Sequence, residues 1–150
     1  MIGLKLDEAK GTFFDAPKVI RSVDAATRRV LSKFGAYVRT AARSSIRKRK
    51  ATSVPGSPPS SHTGLLRQFI FFGYDAANRS VVIGPTRLNS TSGTAPETLE
   101  YGGSAKIVRR QRGGKRVVST ANIAARPFMH PALNKELPKL PPMWANSVKP

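Results

Sequence analysis

From Pro17 to Pro55 the sequence holds no intervening proline, and up to about Lys50 only Gly35 interrupts it. Apolar Val19, Ile20, Val23, Val30, Leu31, Phe34, Val38 and Ala41 recur there at steps of three and four. That spacing predicts one amphipathic helix from Ala16 to about Lys50. Asp15 can cap its start, and Pro17 suits its first turn. A rod of roughly 50 Å, at about 1.5 Å per residue, is a large fixed object for a chain of 150 residues. The rest of the chain must fold against it.

The charges follow the same period. Lys18, Arg21, Arg28, Arg29, Lys33, Arg39, Arg43, Arg47 and Lys50 centre on nearly the opposite side, and Asp24 is the one acid in the span. Like-signed neighbours at four-residue spacing, such as Arg39, Arg43 and Arg47, each cost an isolated helix about 0.2–0.5 kcal/mol. The whole chain has 26 Lys and Arg against 8 Asp and Glu, a formal net charge of +18. Charge repulsion of that size opposes compaction unless a polyanion relieves it. A solvated face would interleave acids with its bases. The near absence of acids favours contact with a polyanion, and nucleic acid is the commonest one. No helix-turn-helix or zinc-finger pattern is present, so sequence-specific readout is not expected.

The remaining segments are short. Residues 51–63, "ATSVPGSPPSSHT", read as an extended linker. "GLLRQFIFFGY" reads as a strand, "DAANRS" as a turn and "VVIGP" as its antiparallel partner. "PETLEYGG" reads as a single helical turn stopped by Gly102 and Gly103. "AKIVRRQRGGKRVVSTA" reads as a β-hairpin whose tip carries Arg109, Arg110, Arg112, Lys115 and Arg116. A short helix runs from about His130 or Pro131 to Leu137. The order of elements predicts an α+β fold: a long N-terminal basic helix packed on a small antiparallel sheet, with a β-hairpin and a short C-terminal helix. Residues 1–14 form an arm, 15–138 a single domain, and 139–150 a Pro-rich tail that packs loosely or reaches a neighbour.

Enzymatic chemistry finds little support. There is no cysteine, so thiolate catalysis and cysteine-based zinc sites are excluded. His62 and His130 are far apart and lack the spacing of a helical metal motif. "SSHTG" sets serines beside a histidine, but no acid lies near to complete a triad. "RGGKRVV" has Arg116 where a phosphate-binding loop needs Ser or Thr. Asp75, Glu97 and Glu100 are the acids a metal-dependent nuclease would have to use. Glu97 and Glu100 also read simply as acids at the positive end of a short helix. No catalytic residue, metal or cofactor is expected. The N-terminal stretch lacks the pattern of a signal peptide, and "FIFF" is far too short to span a membrane.

Four segments, "SVPGSPPSSHTGLLRQFIFF", "VVIGP", "PETLEYGG" and "ARPFMHPAL", stand in an order and spacing that resembles the neck or tail-completion proteins of tailed bacteriophages. The resemblance covers about residues 16–138 and carries no catalytic residue. It implies a structural virion protein at the head–tail joint, assembled in the host cytoplasm. It implies a ring of self-association, hexameric or dodecameric, beside head-closure or connector proteins and tail-terminator or tail-tube proteins. Genomic DNA would pass through the channel, and no membrane is involved. Phe69, Phe71, Phe72, Phe128 and Trp144 are then the expected interface residues. Arg28, Arg29, Lys33, Arg39, Arg43 and Arg47 on the helix, with the five hairpin cations, are the expected contacts to DNA, an acidic neighbouring ring being the other anion they could meet. A tail-terminator ring protein and a non-viral, sequence-independent nucleic-acid-binding protein are the alternatives. The hairpin "RRQRGGKR" and the tail "PKLPPMW" depart from the family pattern.

Overall fold

The computed structural model describes residues 15–86, 95–110 and 113–148. Helix α1 spans Ala16–Ser45, and the Asp15 carboxylate accepts from the Lys18 amide at 3.1 Å. A short α2 (Leu65–Gln68) leads into strand β1 (Ile70–Asp75), which pairs antiparallel with β2 (Ser80–Pro85) in the register Ile70↔Pro85 to Asp75↔Ser80. Next come α3 (Ala95–Tyr101) and a second antiparallel pair, β3 (Gly103–Arg110) with β4 (Arg116–Ile123). Helix α4 (Met129–Glu136), a 3-10 turn (Leu137–Lys139) and α5 (Leu140–Trp144) close the chain. The fold is α+β. Among the described residues, four strands form two separate two-stranded sheets.

The core forms where α1 meets β1–β2 and α4. Phe34, Val38, Ala42, Ile46, Ile70, Phe128 and Ala132 are buried together, and Val81, Ile83 and Leu99 pack at their edge. Gly35 explains how the β1–β2 pair lies so close to the helix. A methyl group placed on it would stand 2.8 Å from Val81 Cγ2 and 2.9 Å from Phe72 Cδ2. Gly35→Ala should therefore destabilise the protein by about 1–3 kcal/mol despite alanine's better helix propensity. A chemical-denaturation midpoint checks this, and a stabilised variant would mean that the sheet can slide on the helix.

Three sequence expectations change. First, α1 stops at Ser45, short of Lys50. The Ser44 and Ser45 hydroxyls donate to the Ala41 and Ala42 carbonyls, offering the last turn a local alternative to continued helix. Ile46 then turns into the core, and Arg47 bridges to Ser60 in parallel fashion. Second, "GLLRQ" is helical before the strand begins. Gly64 adopts a left-handed φ of 84°, and its amide donates to Ser61 Oγ at 3.0 Å, which sets up the turn. Third, the apolar stripe outruns the body that covers it. Val19, Ile20 and Val23, expected in the core, are exposed.

The C-terminal stretch winds into the 3-10 turn and α5. Leu140 and Met143 of α5 pack against the core. Helix α4 itself begins within a residue or two of its expected start.

The segments quoted for the family resemblance converge on one another. The Glu100 carboxylate accepts from three consecutive amides: Phe128 at 2.9 Å, Met129 at 3.0 Å and His130 at 2.8 Å. It thereby caps the N-terminus of α4 from another helix. The Arg126 amide donates to the Leu99 carbonyl at 2.6 Å, and its Nε donates to the Ser53 carbonyl at 3.1 Å. The Gly56 amide reaches the Ala125 carbonyl at 2.8 Å. Gly102 has φ +78°, and a side chain there would crowd the Ala125 amide at 3.1 Å. The linker, α3 and the "ARPFMH" approach are thus tied into one knot beneath Phe128.

Candidate nucleic-acid interface

The helix cations divide into three groups. Arg28, Arg29 and Lys33 are exposed on the middle of α1, and Lys33 Nζ lies 6.0 Å from the Tyr37 ring centre. Arg39 is turned inward. Its Nε donates to the Ile70 carbonyl at 2.8 Å, and its guanidinium carbon lies 5.7 Å from the Phe71 ring centre. Arg43 is half-buried. Arg47 lies beyond the helix end, where its carbonyl accepts from the Ser61 amide. The single stripe expected from Arg28 to Arg47 is therefore broken after Lys33. The Arg39 guanidinium is committed to the Ile70 carbonyl, whereas the Arg47 side chain stays exposed beyond the helix end.

The hairpin cations Arg109, Arg110, Lys115 and Arg116 are all exposed. Arg112 lies outside the described residues. The β3–β4 ribbon touches the body mainly through α3. Ala105, Ile107, Ala121 and Ile123 at the end near α3 are half-covered, while both faces are exposed toward the tip, from Val108 to Arg110 and from Arg116 to Thr120. From Gly103 to Ile123 the chain has no acid. Such a ribbon is narrow enough to enter the DNA major groove, but its cations suit phosphate equally well.

A third basic surface was not foreseen. Between α1 and the β1–β2 turn lies an open cleft of about 690 Å³, lined by Asp24, Arg28, Arg29, Ser32, Tyr74 and Arg79 among others. The turn is shaped by Asp75. Its carboxylate accepts from the Ala77 amide, the Asn78 amide and the Asn78 side chain, at 3.0, 3.3 and 2.7 Å. The Asn78 side chain is the main cause holding the Asp75 carboxyl below its ordinary pKa. Arg79 ends the turn with a left-handed φ of 47°, which costs a non-glycine residue roughly 1–2 kcal/mol. Its guanidinium crosses to Asp24 at 3.2 Å. One signal in the sequence pointed here: an arginine where such a turn usually has glycine or asparagine, with a lone acid on the facing helix.

The expected interface aromatics also separate. Phe128 is 1% exposed and sits in the core, so it cannot present a surface to a neighbour. Phe72 is half-buried against α1 at Gly35. Phe69 and Phe71 meet edge to face, with ring centres 6.2 Å apart, and Phe71 is 45% exposed. Trp144 is 37% exposed at the end of α5. Phe71 and Trp144 are the exposed members of the set.

Among the described residues, five of the six acids are committed within the fold. Asp15 caps α1, Asp24 pairs with Arg79, Asp75 holds its turn, Glu100 caps α4, and Glu136 pairs with Lys139. Exposed Glu97 is the described acid without such a partner. Asp75, Glu97 and Glu100 therefore do not converge, and no group of three potential metal ligands occurs among the described residues. No described helix is long and apolar enough to cross a membrane. No protein-family model, curated protein or solved structure matches the chain.

Proposed function

We propose that this chain is a structural component of the head–tail joint of a tailed bacteriophage, a neck or tail-completion protein that assembles as a ring and lays its cations against DNA. The observation that carries the reading is the convergence of the quoted segments. Ser53, Gly56, Leu99, Glu100 and Arg126 belong to three of them, and they close one hydrogen-bonded knot. Their order along the chain thus has one structural purpose, as expected of a fold signature and not of a catalytic site.

Two further features support it. Among the described residues Glu97 is the one carboxylate without a partner in the fold, which favours an anion supplied by another molecule. The exposed Val19, Ile20, Val23 and Phe71 provide apolar surface for neighbours in a ring.

Virions made without the protein should accumulate filled heads and finished tails that fail to join, and a particle reconstruction should place a ring of it at the joint. Joined, infectious particles lacking the protein would remove this reading. The purified protein should cut neither DNA nor RNA with Mg²⁺ or Mn²⁺. Cleavage abolished by Glu97→Ala would replace the structural reading with a nuclease.

A further inference from the structure

We infer that the cleft between α1 and the β1–β2 turn seats the phosphodiester backbone of DNA, with Arg28, Arg29 and Arg79 as phosphate ligands and Asp24 as a built-in competitor for Arg79. The inference rests on the reading that this chain meets DNA, and it names the place.

Three guanidinium groups from two different elements line one open cleft, and each offers a planar fork suited to phosphate oxygens. The cleft, about 690 Å³, is far larger than a single carboxylate needs and accommodates consecutive sugar-phosphate units. Ser32 and Tyr74 add neutral hydroxyls, both on half-buried side chains. No Asn or Gln, the residues best suited to reading adenine, is among the lining residues. The Asp24–Arg79 contact of 3.2 Å fixes the third guanidinium at the cleft before DNA arrives. Both partners are well exposed, so a phosphate can displace the carboxylate. Arg79 also holds a backbone conformation that favours glycine, and its side chain spans to the helix across the cleft.

The test is a four-member cycle of duplex-DNA affinities in the full chain: the parent, Asp24→Asn, Arg79→Gln and the double variant. Arg79→Gln should weaken binding about 8-fold near 0.1 M salt, the value of one lost phosphate contact, and should lower the salt slope by about 0.9. Asp24→Asn should tighten binding several-fold, and most of that gain should vanish when Arg79 is already Gln. Arg79→Gly, which suits the turn's backbone, should weaken binding as Arg79→Gln does, so a folding defect cannot mimic the result.

Equal gains from Asp24→Asn in both backgrounds would reduce the effect to long-range charge and overturn the proposal. Competition by polyglutamate as strong as that by DNA of equal charge would assign the cleft to an acidic protein. Tight binding of inorganic tripolyphosphate, with duplex affinity indifferent to Arg79, would leave only a small-anion site. If hairpin neutralisation alone abolishes binding while the cleft variants behave as the parent, the cleft proposal falls and the DNA reading stands. If the parent binds no DNA, both fall.

Discussion

Glu100→Ala should destabilise the protein by about 3–5 kcal/mol, a large part of the roughly 5–15 kcal/mol that holds a typical domain together. The carboxylate is buried and accepts from three amides at the start of α4. These are among the donors a helix leaves unpaired at its N-terminus. Each buried donor left without a partner costs about 1–3 kcal/mol, and loss of the negative charge also forfeits its interaction with the helix dipole. The damage should spread, because the Phe128 amide is one of the three and its ring fills the core beside Phe34 and Ile70. Glu100→Gln should lose less, since one oxygen still accepts. Urea denaturation measures both through the midpoint, with the slope unchanged. A Glu100→Ala variant within about 0.5 kcal/mol of the parent, the range of ordinary surface changes, would mean that the cap is incidental.

The second large effect is on binding. Replacing Arg28, Arg29 and Lys33 together with Gln should weaken duplex binding by roughly 10²–10³-fold near 0.1 M salt if each meets one phosphate, and should reduce the salt slope by about 2.7. All three are exposed on one rigid helix, so the fold should survive their loss. Relief of like-charge repulsion works in the same direction. The matched comparison replaces Arg109, Arg110, Lys115 and Arg116 of the hairpin. The helix variant should lose more, because a rigid helix holds its cations in fixed register, whereas the ribbon stands mainly on α3. An unchanged slope in the helix variant, with loss confined to the hairpin, would move the contact to the ribbon. Arg39 belongs in neither set. Its guanidinium holds β1 to α1 through the Ile70 carbonyl, and removing it would confuse binding with stability.

The main elements of this fold could be read from sequence, because their signals are periodic and local. The three- and four-residue recurrence from Val30 to Val38 marks a helix wherever it is packed, and Gly113-Gly114 between two Val-containing arms marks a hairpin. Boundaries fared worse where distant residues set them. The helix ends at Ser45 because Ile46 finds a place in the core and Arg47 a partner at Ser60. The role of Glu100 was hidden for the same reason. Its local setting suggests an acid at the start of its own helix, but its partners lie 28–30 residues away. Side-chain direction was equally hidden. The helical angle put Arg39 in the basic stripe, yet a carbonyl and an aromatic ring within reach draw it inward. Asp24 and Arg79 meet only because the β1–β2 turn folds back over α1.

The proposed function has a folded, strongly basic body meet DNA through phosphate and without regard to sequence. Its most direct test is the affinity of the intact protein for two duplexes of unrelated sequence across a salt series. Two coincident lines of log affinity against log salt are expected, with a slope of about −0.9 for each phosphate met, so about −2.7 or steeper for the three helix cations alone. A slope near zero, or a tenfold or greater preference for one sequence across the series, would contradict it.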